Sequence, residues 1–210
     1  AVAGVAAVGG AAFIGRRPSS PSRVRALLDE ARTRMRDDRY GPTDPEILLA
    51  EAVRLAPDDA DAWGLYALAL GDRADKDDVH NASRAAADSE TAARRALAID
   101  PGQPDALLAR SRLTPLYRNW LARDHDLEAI LARHPDHFFT RYERAGLYAD
   151  TGRVRESSAI HLSLAQAAPA SAALAGQAIF WLAQAGRTAE ASQLADRALR
   201  TFHGAPGLRN

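Results

Sequence analysis

The chain has 210 residues, with 27 basic and 27 acidic side chains and a formal net charge of zero, which removes any general electrostatic drive toward nucleic acid or an anionic membrane surface. It contains no cysteine, which excludes disulfides and thiolate metal sites but selects no compartment. Alanine makes up roughly a fifth of the residues and β-branched residues are few; this is helix-forming chemistry, because Ala and Leu lose little rotamer freedom in a helix.

Residues 1–15, AVAGVAAVGGAAFIG, carry no charge. They fall short of the about 20 residues that span a bilayer, so the segment is expected to be the end of a transmembrane helix, with a signal-peptide core or an apolar arm as alternatives. Residues 16–22 form an Arg/Pro/Ser linker, stiffened by proline and solvated by serine. Residues 23–203 read as one domain of paired helices, and 204–210 as a tail. A first helix over 22–36 carries the stripe Val24, Leu27, Leu28, Ala31 and Met35. Thr43 is expected to cap a second, reaching about residue 56 with Pro45 in its first turn. Asp59 or Asp61 opens a third, which runs through Trp63, Tyr66 and Leu70 to an end at Gly71. A polar segment over 72–78 leads to a fourth helix from about 81 to 99. The later helices are expected over 105–116, 123–134, 137–150, 154–168, 171–185 and 188–202, with Pro115 ending or kinking the fifth early.

Pro101, Pro135 and Pro169 stand 34 residues apart, and Gly152 and Gly186 repeat the same interval, each followed by Arg. Pro57 lies 44 residues before Pro101, one period plus ten, and the excess falls between Gly71 and Pro101. A fixed period of this size marks one helical hairpin repeated along the chain. The expected fold is all-α: a right-handed α-solenoid of about five helix-turn-helix hairpins.

Large residues early in the first helix (Trp63, Tyr66), Ala145 and Tyr148 with Gly152 in the third strict repeat, small residues in second helices (Ala93, Ala96, Ala191, Ala195, Ala198), turn glycines and a closing proline make residues 22–203 resemble the tetratricopeptide repeat family. Arg118-Asn119 departs from the pattern by replacing a turn glycine. The apolar start, the linker, AWGLYALAL, the polar insertion, ETAARRALAIDPGQPDAL and RNWLARDHDLEAILARHPD together resemble a narrower family. These are membrane-anchored bacterial regulators with a winged-helix DNA-binding domain, one transmembrane helix and a tetratricopeptide sensor half. The resemblance implies a single-pass inner-membrane protein with periplasmic repeats, whose DNA-binding part is not in this chain. Arg16-Arg17 argues for the opposite orientation by the positive-inside rule.

No catalytic or metal-ligating pattern stands out. His125, His134 and His137 lie near Asp124, Asp126 and Asp136 but read as solvated loop histidines. Asp72, Asp75, Asp77 and Asp78 lack the glycine and distal glutamate of a calcium loop. Gly10 and Gly15 outline a phosphate loop without its Lys or Ser/Thr. Ser157 and Ser158 read as small packing positions on a helix. No enzyme activity, cofactor or direct nucleic-acid contact is expected. The expected function is binding of a protein or peptide on the concave face, with membrane attachment through the apolar start and homodimerisation as a further expectation. The groove residues are Leu68, Leu108, Arg112, Phe139, Tyr142, Phe180 and Gln184, with the aromatics as an apolar floor and Arg112 for a carboxylate; alternatively the aromatics are core between hairpins. A scaffold for complex assembly and an accessory domain of an enzyme are the alternative functions.

Overall fold

The computed structural model describes residues 20–37, 44–74 and 79–202. Among these are ten helices and no strand: α1 (Ser20–Asp37), α2 (Pro45–Leu55), α3 (Ala60–Ala74), α4 (Val79–Ile99), α5 (Pro104–Leu113), α6 (Trp120–Arg133), α7 (Phe138–Asp150), α8 (Val154–Ala167), α9 (Ala172–Gln184) and α10 (Thr188–Thr201). Each helix packs on its successor, so the chain forms an all-α solenoid of five hairpins, as the period predicts. The residues before 20 and after 202, and with them the apolar segment and the tail, lie outside the described residues.

The period acts through helix starts. Two residues after each repeat proline stands a capping side chain: Asp59, Gln103, His137 and Ser171. Each accepts the backbone N–H three residues on, from Ala62 at 3.0 Å, Ala106 at 2.7 Å, Thr140 at 3.4 Å and Leu174 at 3.2 Å. A helix N-terminus leaves four N–H groups without partners, and a cap satisfies one of them. The proline ends the preceding helix and the cap opens the next. In α2 the cap is Asp44, whose carboxylate accepts from Glu46 at 3.0 Å, and Pro45 follows it; the expected cap, Thr43, is outside the described residues.

Turn geometry accounts for most differences from expectation. Gly152 and Gly186 take φ of +79° and +73°, the left-handed conformation that the Cβ of other residues disfavours. Arg118 stands in the turn without glycine and takes φ +66° itself. Helix α5 ends at Leu113 because Thr114 precedes Pro115 and is held extended, at φ −79° and ψ 125°. Helix α6 starts earlier than expected, at Trp120. Gly71 does not end α3, which runs on to Ala74; instead it faces Ser89 of α4, whose hydroxyl donates to the Ala67 carbonyl at 2.8 Å. Helix α1 opens at Ser20, inside the expected linker.

Small residues let neighbouring backbones approach. Ala93, Ala96, Ala145, Ala191 and Ala198 are all buried. Trp63 and Tyr66 are partly buried and pack against both the α1–α3 cluster and the α3–α5 cluster, filling the groove between hairpins. Gly64 goes further. A Cβ placed on it would fall 2.0 Å from the Gln103 Oε1. The Gln103 side chain is therefore wedged between α3 and α5, where it caps α5 and reaches Asp61 and Asp105 through Nε2 at 3.3 Å each.

The expectation of an inner-membrane protein with periplasmic repeats is corrected. No helix among the described residues is long and apolar enough to cross a membrane. The longest, α4, has 21 residues but carries Arg84, Asp88, Glu90, Arg94 and Arg95 along its length.

Candidate functional site

Helices α3, α5, α7 and α9 are the first helices of successive hairpins and form one row. In a straight row, four interaxial spacings of about 8–10 Å would separate α1 from α9. Yet α1 touches α3 and α9 as well as its partner α2. The row therefore curls, and the end of α1 reaches across its inner face.

Three consecutive residues make that crossing. Met35 packs against both the α1–α3 cluster and the cluster of Leu68, Leu108, Leu127, Ile130 and Leu147, on which Phe139 also lies. Arg36 places its guanidinium 4.7 Å from the centre of the Phe138 ring. Asp37 accepts a hydrogen bond of 2.6 Å from the hydroxyl of Ser171, the cap of α9. Two of these contacts nearly cancel against a third effect. A cation–π contact at a partly exposed site contributes about 0.5–1 kcal/mol. A hydrogen bond to a charged acceptor contributes about 1.5–3 kcal/mol when buried and less at exposed Asp37. Against them, Arg36 Nε is buried and has no hydrogen-bond partner among the described residues, a cost of about 1–3 kcal/mol. The apolar packing of Met35 is what remains.

This arrangement sorts the expected groove residues. Leu68 and Leu108 are 1% exposed, part of the core on which Met35 lies, and offer no surface in this conformation. Arg112 is ion-paired with Asp72 and lies 3.8 Å from Glu143, so its charge is already met by two carboxylates. Glu143 also pairs at 2.9 Å with buried Arg123, which donates to the Thr114 carbonyl at 2.9 Å. Phe139 and Tyr142 are partly buried. Phe180, 51% exposed, and Gln184 are open on α9.

The aromatics are connected through residues the sequence did not single out. Phe138 stacks on Tyr142 with centroids 6.1 Å apart and meets Phe139 edge-on at 5.3 Å. Tyr142 meets buried His161 of α8 edge-on at 5.6 Å, and His161 stacks on Trp181 of α9 at 5.7 Å. Trp181 meets Phe180 edge-on at 5.0 Å. The result is a file of rings that starts under Arg36 and ends at exposed Phe180. His161 is fixed by the Ser157 carbonyl at 3.0 Å from its Nδ1. Ser157 and Ser158 are buried, in the packing role expected of them.

Among the described residues no group of His, Asp and Glu could hold a metal ion. His134 and His137 are structural: His134 Nε2 lies 2.9 Å from the Gly102 carbonyl, and His137 Nε2 lies 2.9 Å from Asp105.

No family model and no curated protein matches the sequence. Solved structures do resemble the fold. A tetratricopeptide protein of Thermus thermophilus, TTC0263, is 20% identical, with a TM-score of 0.51 over 82% of this chain and 83% of that one. MamA from Desulfovibrio magneticus RS-1 is 13% identical, covering 90% of this chain and 99% of that one at a TM-score of 0.48. YrrB, described as a tetratricopeptide protein with an unusual peptide-binding site, is 11% identical over 90% of each chain at 0.46. The likeness to TTC0263 agrees with the order of elements, and the fold is that of a tetratricopeptide array. The resemblance to winged-helix regulators rests on the sequence alone.

Proposed function

We propose that the chain is a protein-interaction scaffold that holds a partner segment along the inner face of its curled row of first helices. The carrying observation is the file of aromatic rings that ends on α9 in exposed Phe180. Leu174 and Leu182 of α9 are buried and Ile179 and Trp181 are half-buried, whereas Phe180 is 51% exposed, so Phe180 contributes less to the core than its neighbours. A large ring left in water beside a continuous row of aromatics is the usual form of an anchor site, since such rings supply much contact area at little entropic cost. Gln184 lies one helical turn on and can orient a partner backbone through its amide. Phe139 and Tyr142 serve as walls held by their neighbours.

Selection of binders from a displayed peptide library tests this reading, with wild-type protein and the Phe180→Ala variant as baits. The expected outcome is peptides with an apolar anchor that bind wild type and lose most of their affinity for the variant, while both melt at the same temperature. Peptides that bind the two baits equally would remove Phe180 from the site.

A further inference from the structure

We infer that the inner face next to α9 is a docking site for a protein segment that presents a large apolar residue, an arginine and a carboxylate in succession, and that Met35, Arg36 and Asp37 hold that site in cis. The inference rests on the reading of the inner face as a protein-binding surface and names the chemistry of its partner. Three features of the receiving surface match the three residues: the Leu68–Leu108 cluster beneath Met35, the Phe138 ring beneath Arg36, and the Ser171 hydroxyl facing Asp37. An apolar floor, a ring face and a hydroxyl donor are recognition elements for those three groups in that order.

The cis segment fits imperfectly. Arg36 Nε is buried without an acceptor among the described residues, so a partner that brings its own acceptor to this point gains a hydrogen bond that those residues do not make. Among the described residues the cis contact reaches Phe138 and Ser171, while the aromatic file continues to Phe180. A longer partner segment would also cover exposed Phe180. Both differences favour exchange, because the bound segment and its competitor use the same surface and the competitor makes more of it.

Substitutions confined to the cis segment give a direct test, because they leave the receiving residues Phe138 and Ser171 intact. The variant Arg36→Ala/Asp37→Ala removes two of the three cis contacts. The probe is a fluorescent peptide of residues 28–37, LDEARTRMRD, added to wild type and to the variant after circular dichroism has shown both to be equally helical. The expected result is binding to the variant at least about tenfold tighter than to wild type, with clear weakening when the peptide carries Arg36→Ala. Equal affinity for the two proteins, no affinity for the variant, or indifference to the peptide's arginine would each overturn the inference. Hydrogen exchange on the otherwise unmodified chain gives a second measurement. Arg36→Ala should speed exchange at residues 33–37 and leave residues 63–70 unchanged; no change at residues 33–37 would also overturn it. Loss of peptide selection in Phe180→Ala alongside failure of the Arg36→Ala/Asp37→Ala test would leave the scaffold reading intact and remove only the cis occupant.

Discussion

Single residues decide whether neighbouring hairpins can meet. Gly64 is the sharpest case, because its missing side chain makes room for the buried cap Gln103. Gly64→Ala is expected to cost about 1–3 kcal/mol by overpacking, read as a lower denaturant midpoint. Adding Gln103→Ser should recover much of the loss, since serine performs the same capping role at Ser171 and leaves the space free. Arg118 gives the opposite sign. It sits at φ +66° with its guanidinium 5.3 Å from the exposed Tyr117 ring, a contact that contributes little. Arg118→Gly should stabilise by about 0.5–1 kcal/mol by removing the left-handed Cβ conflict, visible as a raised melting temperature. Only one of the two is legible in the sequence. Arg118 was readable as a departure from the glycine positions. The role of Gln103 was not, since a glutamine at a helix start is a weak cap signal and its opposite number, Gly64, lies far back in the chain on another helix.

At the scale of elements, the last two second helices share a start that pH can probe. Arg153 and Glu156 open α8, and Arg187 and Glu190 repeat the pair one period later at α10; their hydrogen bonds are 3.1 Å and 2.8 Å. In each pair the guanidinium bonded to the carboxylate holds its pKa below the usual carboxylate range. A depressed folded-state pKa contributes stability above the unfolded value, about 4.3 for glutamate, and that contribution is lost as pH falls through this range and below it. Glu190→Gln should therefore melt lower than wild type at neutral pH, and the two curves should converge in acid. Added salt should narrow the neutral-pH gap, because both carboxylates are exposed. A gap that widened in acid would contradict the sign. Arg123 is a stronger tie. It is buried, and it joins α6 to Glu143 of α7 and to the carbonyl that ends α5. Arg123→Met keeps the apolar stem and leaves both acceptors short of a donor, an expected loss of about 1–3 kcal/mol measured by denaturant unfolding. Most of the helices could be read from their starts and stops, because caps, prolines and glycines are local signals. The ionic ties between hairpins could not, since charges that lie close in sequence read as a solvated surface whether or not a distant partner buries them.

For the whole molecule, the period predicts an open row in which each hairpin touches only its neighbours, and contact between α1 and α9 breaks that rule. The Asp37–Ser171 bond spans 134 residues, and no local pattern could announce it. It also bears on the residues expected to line the groove. Leu68 and Leu108 lie on the inner-face row as the register requires, but the end of α1 lies over them. An open array has terminal elements that fray independently, since stability is a sum of unit and nearest-neighbour terms. A closed one couples its first helix to its last hairpin. A double-mutant cycle with Asp37→Ala and Ser171→Ala separates the two pictures. Ser171→Ala alone also removes the α9 cap, a loss of about 1 kcal/mol, but the cycle subtracts it. The remaining coupling is expected at about 0.5–1.5 kcal/mol, because the bond has a charged acceptor but Asp37 is exposed. Native-state hydrogen exchange should locate the effect: either substitution lowers protection in the last turn of α1 and the first turn of α9 together, while α4 and α5 keep theirs. A coupling of zero, or loss of protection in only one of the two turns, would mean that the array behaves as an open row in solution.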